Sequence, residues 1–267
     1  MSVPLVFAHR GASAELPEHT LAAYLRALEA GADGLECDVR MTRDGHLVCV
    51  HDRRLDRTSN GRGPVSRRTL AELAELDFGS WHAATRGSDL DGAARPGTGT
   101  VGVLTLNQLL DHIDGVRQPV RLLVETKHPT RHGGAVERSL RELLARRGLH
   151  RARPDARVRV SVMSFSPLAV RRMRALAPAV PTVQLLDLLP SGLTPPGLGR
   201  LPVAAPVVGP SVELLRARPG LAPALRAAGK RVYVWTVNEP DDIDLAVSLG
   251  VDGLITDRPA EVRERLG

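Results

Sequence analysis

The pattern that decides the fold is complete within residues 4–38, which read PLVFAHRGASAELPEHTLAAYLRALEAGADGLECD. An apolar run at 4–8 is followed by apolar residues at helical spacing, and a second apolar run follows at 34–38. Thr20 is a predicted N-cap for the helix, and Gly31 is its predicted end. This order predicts a β-strand, an α-helix and a second β-strand that lies parallel to the first.

The same alternation recurs along the rest of the chain. Eight apolar, β-branched runs have strand character, at residues 4–8, 34–38, 121–125, 158–163, 181–186, 203–208, 231–235 and 252–255. Thr105 and Gln108 form a capping box ahead of one of the helices between them. Eight alternations predict an α/β protein that closes into a (β/α)8 TIM-type barrel, one domain over residues 1–267. A doubly wound open sheet is the alternative, but no glycine-rich dinucleotide-binding motif follows the first strand, where Gly11 stands alone.

A ninth strand-like run falls outside this count. Residues 47–51 follow residues 39–41 across an Asp-Gly turn, a combination that is typical of a β-hairpin. The hairpin would extend the second barrel strand and fold back on it. We therefore expect His51 to lie roughly opposite Asp38.

The segment that follows the hairpin has a different composition. Residues 52–104 are poor in strand signal and rich in glycine, proline, arginine and aspartate, with one capped helix predicted from Thr69 to about Leu76. We interpret residues 52–104 as an insertion between strand two and helix two, outside the repeating barrel.

Charge and composition exclude several classes of protein. The 36 basic and 30 acidic residues are intermixed, and aromatic residues make up only 3% of the chain, so we predict no nucleic-acid partner despite the net charge of +6. Two cysteines cannot form a disulfide framework. No apolar run approaches the roughly 18 residues of a membrane helix, and the apolar start is too short for a signal peptide. A cytoplasmic protein without stable membrane insertion is expected, and the oligomeric state is left open.

Polar and aromatic side chains gather where the predicted strands end, which is where barrels of this type place their active sites. These residues are His9, Arg10, Glu36, Asp38, Glu125, Lys127, Phe165 and Trp235, with His51 arriving from the hairpin. Three carboxylates that meet at one mouth repel one another unless a cation neutralises them, and oxygen ligands suit Mg²⁺ or Ca²⁺. The alternative is a structural network in which these acids pair with nearby arginines.

The remaining residue types suggest roles that spacing alone does not decide. His9 and His51, one on each side of a metal site, could act as general base and general acid, although a single histidine is more often a core or surface group. Arg10 and Lys127 are cationic donors suited to a phosphate. Lys127 stands out because only two of the basic residues are lysine, although it could simply pair with Glu125.

Phe165 and Trp235 carry the weakest functional signal of the set. An aromatic residue at the end of a strand usually fills the core, and that is the preferred interpretation on spacing alone.

Taken in order, the motifs at these strand ends resemble the glycerophosphodiester phosphodiesterase family. The matching motifs are HRG at 9–11, PEHTL at 17–21, ECDV at 36–39, TRDG at 42–45, VHD at 50–52, VETK at 124–127, SF at 164–165, VWTVN at 234–238 and GLITDRP at 253–259. The resemblance covers nearly the whole chain, and the motifs are specific when they are taken jointly.

The resemblance implies a (β/α)8 barrel that hydrolyses glycerophosphodiesters to sn-glycerol 3-phosphate and an alcohol. By the family pattern, Glu36, Asp38 and Glu125 bind one divalent metal ion, Mg²⁺ or Ca²⁺. His9 and His51 are the acid–base pair, Arg10 and Lys127 hold the phosphate, and Phe165 and Trp235 line the glycerol or alcohol side. One position departs from the family, which commonly has asparagine where this chain has His19.

Some alternatives stay open at this point. A barrel that binds phosphorylated ligands without catalysis would have lost part of this set of residues, whereas here the set is complete. A lysophospholipase D acting on larger lipids would need a broad apolar entry, which the low aromatic content does not favour. The attacking group could be a neighbouring hydroxyl of the substrate, giving a cyclic phosphate, or a water molecule. Neither histidine is assigned as the acid or as the base.

Overall fold

The structure is a computed structural model that describes residues 3–85, 100–130, 133–151, 156–189 and 205–267. Within these residues nine strands form one sheet. They are β1 (Leu5–His9), β2 (Gly34–Met41), β3 (Leu47–Cys49), β4 (Val120–Thr126), β5 (Val158–Ser164), β6 (Thr182–Leu186), β7 (Val207–Pro210), β8 (Arg231–Val234) and β9 (Gly253–Thr256).

Ten α-helices are described between and after these strands. They are α1 (Leu21–Glu29), α2 (Leu70–Ala74), α3 (Ser80–Thr85), α4 (Leu106–Asp114), α5 (Ala135–Arg146), α6 (Pro167–Leu176), α7 (Val212–Ala217), α8 (Leu221–Ala227), α9 (Pro240–Ser248) and α10 (Pro259–Leu266). Thr20 caps α1 by accepting a hydrogen bond from the Ala23 N–H, and Thr105 and Gln108 form the predicted capping box of α4. None of the described helices combines the length and the apolar character needed to cross a membrane.

The sheet closes into a barrel, as the alternation of strands and helices predicts. Eight parallel strands follow one another around the barrel, and β1 pairs with both β2 and β9. The ninth strand, β3, pairs antiparallel with the outer end of β2, where Val39 faces Cys49 and Met41 faces Leu47. The TIM-type barrel and its additional hairpin are therefore confirmed.

One strand lies further along the chain than predicted. The apolar run at 203–208 suggested an earlier start, but β7 covers Val207–Pro210, and residues 203–204 lie outside the described part of the chain. Pairing sets the position of this strand, because Val207 aligns with both Val183 on β6 and Arg231 on β8. The composition of residues 203–208 alone does not determine how β7 aligns with its two neighbouring strands.

The barrel interior and the layer between strands and helices form separate apolar clusters. The interior cluster has one or two members from each of seven barrel strands: Phe7, Leu123, Met163, Val183, Leu185, Val207, Tyr233 and Ile255. The outer faces of the strands pack against the helices in two larger clusters. Cys37 and Cys49 are buried free thiols in the first of these. The barrel is therefore a filled core whose strand ends carry the polar residues.

The described parts of residues 52–104 lie between β3 and α4. They contain α2, α3 and a short 3₁₀ helix at Val65–Arg67, and they share an apolar cluster with Val48 and Val50 of the hairpin. The helix that begins after Thr69 ends at Ala74, slightly earlier than expected. Residues 86–99 lie outside the described residues. That the whole segment is an insertion in the barrel stays a prediction.

Candidate active site

The structure brings the predicted site residues together at one end of the barrel. A cavity of about 120 Å³ opens at the carboxyl ends of the strands. Eight of the nine predicted residues line it: His9, Arg10, Glu36, His51, Glu125, Lys127, Phe165 and Trp235. The ninth, Asp38, is fully buried and contacts two of the lining residues.

Three carboxylates on two neighbouring strands form a compact cluster. Glu36 and Asp38 are two residues apart on β2 and share its inner face, and Asp38 aligns in register with Glu125 on β4. One carboxylate oxygen from each residue lies within 4.8 Å of the other two, and all three residues are buried. The strand alternation that builds the barrel therefore also builds this cluster.

The chemistry of the cluster fits a divalent cation. Glu36 Oε1 is buried and accepts no hydrogen bond from the described residues. Burial raises the pKa of Glu36 well above its usual value, and the charges of Asp38 and Glu125 raise it further. Burial and the charge of Asp38 also raise the pKa of Glu125 to about 8. A buried oxygen without a donor, among like charges, suits a hard cation such as Mg²⁺ or Ca²⁺.

Asp38 differs from the other two carboxylates because two cations flank it. Its Oδ1 lies 2.9 Å from Lys127 Nζ, and its Oδ2 lies 3.0 Å from Arg10 Nε. Burial alone would raise the pKa of Asp38, but Lys127 and Arg10 outweigh burial and hold it well below the usual range. Lys127 Nζ also lies 2.8 Å from Glu125 Oε1. Lys127 thus pairs with Glu125, which was one of the two interpretations of this lysine, and it also lines the cavity.

His19, the position that departs from the family pattern, holds Asp38 from a further side. Its Nε2 lies 3.0 Å from Asp38 Oδ2, and its Nδ1 lies 2.7 Å from the Tyr24 hydroxyl. Burial lowers the pKa of His19, so the ring is neutral. Because a carboxylate only accepts, Nε2–H donates to Asp38 and the Tyr24 hydroxyl donates to Nδ1. These two hydrogen bonds together orient Asp38, a buried carboxylate of the cluster.

His9 is held by a carboxylate from the opposite end of the chain. Its Nδ1 lies 2.7 Å from Asp257 Oδ1, just beyond β9. Burial would raise the pKa of Asp257, but hydrogen bonds from His9, Asn238 and Ser13 lower it far below its usual value. Asp257 is therefore an anion fixed beside the imidazole, which leaves His9 Nε2 as the ring nitrogen available to another group.

His51 has an equivalent arrangement that involves the segment after the hairpin. Its Nδ1 lies 2.7 Å from Asp52 Oδ1, and Arg57 Nε donates to Asp52 Oδ2 at 2.7 Å. Arg57 also donates two hydrogen bonds to Glu18, which in turn lies 3.2 Å from Arg10 Nη1. Burial lowers the pKa of His51 to about 4, because Arg10 and Lys127 offset the opposing charge of Asp38.

Two histidine–carboxylate pairs, a carboxylate cluster and two cations thus share one cavity. A family model of the glycerophosphoryl diester phosphodiesterase family matches residues 9–261 of the chain. The chain belongs to this family. It is therefore an enzyme of the phosphodiesterase class, as the motifs at the strand ends predict.

Individual relatives agree with the family assignment. The chain is 49% identical over 260 residues to a Mycobacterium tuberculosis (strain H37Rv) protein named "Probable glycerophosphodiester phosphodiesterase 1". The aligned region covers 97% of this chain and 91% of the relative. It is 33% identical over 258 residues to the glycerophosphodiester phosphodiesterase of Bacillus subtilis (strain 168), and the aligned region covers 96% of this chain and 84% of that relative. The structure of an Oleispira antarctica phosphodiesterase in complex with the product sn-glycerol-3-phosphate matches with a TM-score of 0.77 at 25% identity, covering 99% and 97%.

The two aromatic residues lie together on one wall of the candidate cavity. Phe165 and Trp235 make an edge-to-face contact with ring centroids 5.2 Å apart, and Lys127 Nζ lies 5.9 Å from the Phe165 ring. Trp235 Nε1 donates to the Gly209 carbonyl at 2.7 Å, which fixes the indole. Phe165 is 41% exposed. These side chains line the cavity, and the interpretation of Phe165 as a buried core residue is wrong.

Several residues that support the phosphodiesterase site were not predicted from the sequence. Asp257 contacts the predicted site residue His9 directly, whereas Arg57 contacts Asp52, the partner of His51, and Tyr24 contacts His19, the partner of Asp38. Asp257 was part of a quoted motif, and its place just after a strand end was an available signal. Arg57 carried no such signal, because arginine is abundant along the chain, and Tyr24 carried none, because it falls in the apolar stripe of α1.

Proposed function

We propose that this phosphodiesterase hydrolyses glycerophosphodiesters to sn-glycerol 3-phosphate and an alcohol, in a reaction that depends on Mg²⁺ or Ca²⁺. The observation that carries the proposal is one cavity lined by two histidines, two cations and two carboxylates of the buried cluster. The Oleispira relative that holds sn-glycerol-3-phosphate supports the same product here. The cavity is small, which favours a compact substrate over a larger lipid.

We assign Glu36, Asp38 and Glu125 as the residues that hold the divalent cation. When bound, the cation would supply charge neutralisation for the phosphodiester anion. Arg10 and Lys127 are the cationic donors for the phosphate oxygens. Both are already placed by ion pairs to Asp38, so little side-chain freedom is lost when the substrate binds.

The two histidines divide the proton transfers. His51 is the general base, because its imidazole is neutral at ordinary pH and Nδ1–H donates to Asp52, which leaves Nε2 free to accept a proton from the attacking group. That group is a water molecule, or a neighbouring substrate hydroxyl whose cyclic phosphate product is then opened by water. His9 is the general acid, because the Asp257 anion can hold its protonated ring by a charge-assisted hydrogen bond while Nε2–H protonates the leaving alkoxide. Phe165 and Trp235 contact the glycerol or the alcohol group.

We also propose that residues 52–104 are an insertion that supports the site. The described part of this segment supplies Arg57, whose guanidinium joins Asp52 to Glu18. His51 therefore keeps its orientation through a residue that lies outside the barrel repeat.

A turnover assay tests the proposed function directly. The purified chain is incubated with glycerophosphocholine or glycerophosphoethanolamine, with and without Mg²⁺ or Ca²⁺, and glycerol 3-phosphate is detected by a coupled enzyme. We expect metal-dependent release of glycerol 3-phosphate from at least one substrate. A folded protein that binds glycerophosphodiesters without releasing product would support a silent binding barrel instead.

The contact between His19 and Asp38 gives a prediction about metal affinity. Replacing His19 with alanine removes the hydrogen bond that orients Asp38 Oδ2. We expect the His19→Ala variant to bind Mg²⁺ about 10- to 100-fold more weakly, which is the usual effect of losing a group that orients a metal ligand. The measurement is the Mg²⁺ concentration at half-maximal thermal stabilisation.

Two matched variants separate orientation from packing. His19→Asn keeps one donor near Asp38 and is expected to recover much of the affinity, as asparagine is common at this position in the family. Tyr24→Phe keeps the ring but removes the hydroxyl that donates to Nδ1, so we expect a smaller loss than for His19→Ala. Equal Mg²⁺ midpoints for all three variants and the wild type would contradict an orienting role.

The assignment of His51 as the base predicts that, on the acidic side of the pH–rate profile, activity falls only at unusually low pH. With a pKa of about 4 for His51, the neutral base persists down to that pH. An ordinary histidine base would lose activity below about pH 6.5. We expect kcat/KM, which reports ionisations of the free enzyme, to fall only well below that value.

Loss of metal at low pH must be distinguished from protonation of His51. Protons compete with the cation for Glu36 and Glu125, whose pKa values are raised by burial and by neighbouring charge, so a metal-dependent limb moves to lower pH as Mg²⁺ is increased. If the acidic limb of the pH–rate profile reflects protonation of His51, its midpoint does not move when Mg²⁺ is raised to saturation. A Mg²⁺-independent limb at pH 6 to 7 would overturn the assignment of His51 as the base.

A further inference from the structure

A second and larger cavity lies at the opposite end of the barrel. It has a volume of about 580 Å³ and is bordered by residues at the amino ends of β4, β5 and β8. Its floor is apolar and aromatic, formed by Phe7, Leu123 and Tyr233 of the barrel interior. The barrel core therefore separates this cavity from the catalytic one.

The rim of this lower cavity is strongly cationic. Among the described residues, six arginines line it: Arg121, Arg147, Arg151, Arg157, Arg159 and Arg231. Asp114 is the single acidic residue among the lining residues that the structure describes. Arg147 is paired with Asp111, but within the described part of the chain no carboxylate forms an ion pair with Arg121 or Arg231. Arginines thus outnumber acidic residues among the described residues that line the cavity.

The strand register concentrates this charge. Arg121 on β4 aligns directly with Arg159 on β5, and parallel neighbouring strands are about 4.8 Å apart. Arg231 begins β8, and its guanidinium lies 5.7 Å from the Tyr233 ring. Cationic side chains that line one cavity repel one another, so an anion that bridges them would be stabilising.

Tyr233 adds a neutral donor to the cationic groups. Burial raises the pKa of Tyr233, so its hydroxyl keeps its proton at physiological pH. Within the described residues this hydroxyl has no hydrogen-bond partner, although the ring is 96% buried by its contacts with the barrel interior, including Phe7 at a centroid distance of 5.1 Å. The hydroxyl is therefore available to a ligand in the cavity that Tyr233 lines.

We propose that the lower cavity binds a small anion that carries two or more phosphate groups, such as a pyrophosphate or a compound containing one. Its volume falls within the range of roughly 300–1,000 Å³ that is typical of small-molecule pockets. Guanidinium groups bind phosphate oxygens in a bidentate manner, and one phosphate carries too little charge to neutralise so many arginines. This inference does not depend on the proposed hydrolysis, because it uses none of the catalytic residues.

The test is titration of the full-length protein with inorganic pyrophosphate, and separately with inorganic phosphate, by isothermal calorimetry in EDTA. We expect pyrophosphate to bind more tightly than phosphate, with an affinity that falls as salt increases. The double variant Arg121→Gln/Arg231→Gln is expected to bind pyrophosphate at least tenfold more weakly. Its kcat/KM for glycerophosphocholine is expected to match the wild type.

A matched control distinguishes this cavity from general attraction to a basic protein. Arg171 is an exposed arginine on α6 that does not line the cavity, and Arg171→Gln is expected to bind pyrophosphate as the wild type does. Removing mutually repelling charges should not lower the melting temperature of the double variant, so unfolding would not account for its weaker binding.

Three results would overturn the proposal. They are the absence of pyrophosphate binding by the wild type at millimolar concentration, equal affinity for the double variant, and an equal loss for Arg171→Gln. A short single-stranded RNA that binds more tightly than pyrophosphate, and that loses affinity in both variants, would indicate a nucleic-acid surface instead.

Discussion

Removal of divalent cations is expected to lower turnover of glycerophosphocholine by about 10³-fold, because charge neutralisation at a phosphoryl group is worth several kcal/mol. EDTA should cause this loss, and Mg²⁺ or Ca²⁺ should restore the activity. The Glu36→Gln variant is expected to show the same loss in the presence of Mg²⁺. Its amide replaces the buried carboxylate whose Oε1 accepts no hydrogen bond from the described residues.

Thermal unfolding provides a readout that does not depend on catalysis. A cation that binds only the folded protein stabilises it by about 2.7 kcal/mol at a concentration of 100 Kd, so Mg²⁺ should raise the melting temperature of the wild type. Glu36→Gln should lose this increase. Without metal, the variant should be at least as stable as the wild type, because it lacks one of three crowded carboxyl groups.

The raised pKa of Glu125 sets the direction of the pH dependence. Its value of about 8 in the folded protein exceeds the value of about 4.3 expected in the unfolded chain. The folded state therefore binds more protons than the unfolded state between these values, and the stability of the metal-free protein falls as the pH rises through this window. Because the cation displaces a proton, Mg²⁺ should raise the melting temperature more at pH 8 than at pH 6.

A buried glutamate elsewhere serves as the matched control. Glu137 is fully buried and pairs with His128 at 2.7 Å, away from the catalytic cavity. Glu137→Gln should retain the Mg²⁺-dependent increase in melting temperature, whatever its effect on basal stability. If Mg²⁺ left the melting temperature of the wild type unchanged at both pH values, the carboxylates would be a structural network with Arg10 and Lys127.

Replacement of either histidine of the proposed acid–base pair is the second large expected effect. His9→Ala and His51→Ala should each lower kcat by about 10²- to 10⁴-fold, the usual contribution of one positioned proton-transfer group. The carboxylates and cations remain in both variants, so Mg²⁺ binding and KM should change little. His46→Ala is the matched control, because His46 is exposed in the hairpin turn and does not line the cavity.

A substrate with an acidic leaving group separates the two histidine roles. A nitrophenyl phosphodiester needs little protonation of its leaving oxygen, so it should restore the rate of His9→Ala far more than that of His51→Ala. The reverse pattern would exchange the two roles. Wild-type kcat for both variants on glycerophosphocholine would remove the two histidines from the mechanism.

The barrel could be predicted from the sequence because each repeat carries its own local signals. Thr20 and Thr105 mark helix starts, and the Asp-Gly turn at 44–45 marks the hairpin, so neither signal needs a distant partner. The start of β7 was placed too early, because that strand begins where Val207 pairs with its neighbours. Local composition cannot supply a register that two other strands determine.

The same distinction applies to the candidate site. Glu36 and Asp38 could be placed on one face because strand alternation is a local rule, and the carboxyl ends of the strands are a fixed position in the fold. The more distant partners could not, since Tyr24 reaches Asp38 only through His19, and Arg57 reaches His51 only through Asp52. Such contacts depend on side-chain geometry across the fold and produce no periodic pattern in the sequence.

The contact between His9 and Asp257 has a consequence for when the enzyme becomes active during its synthesis. The two residues are separated by 248 positions, and they meet only when β9 has paired with β1 to complete the ring. At about 5–20 residues per second, a ribosome needs roughly 12–50 seconds to cover that interval. A nascent chain therefore holds its carboxylates and His51 long before His9 gains its partner. Hydrolysis should therefore begin only after β9 has left the ribosome and paired with β1.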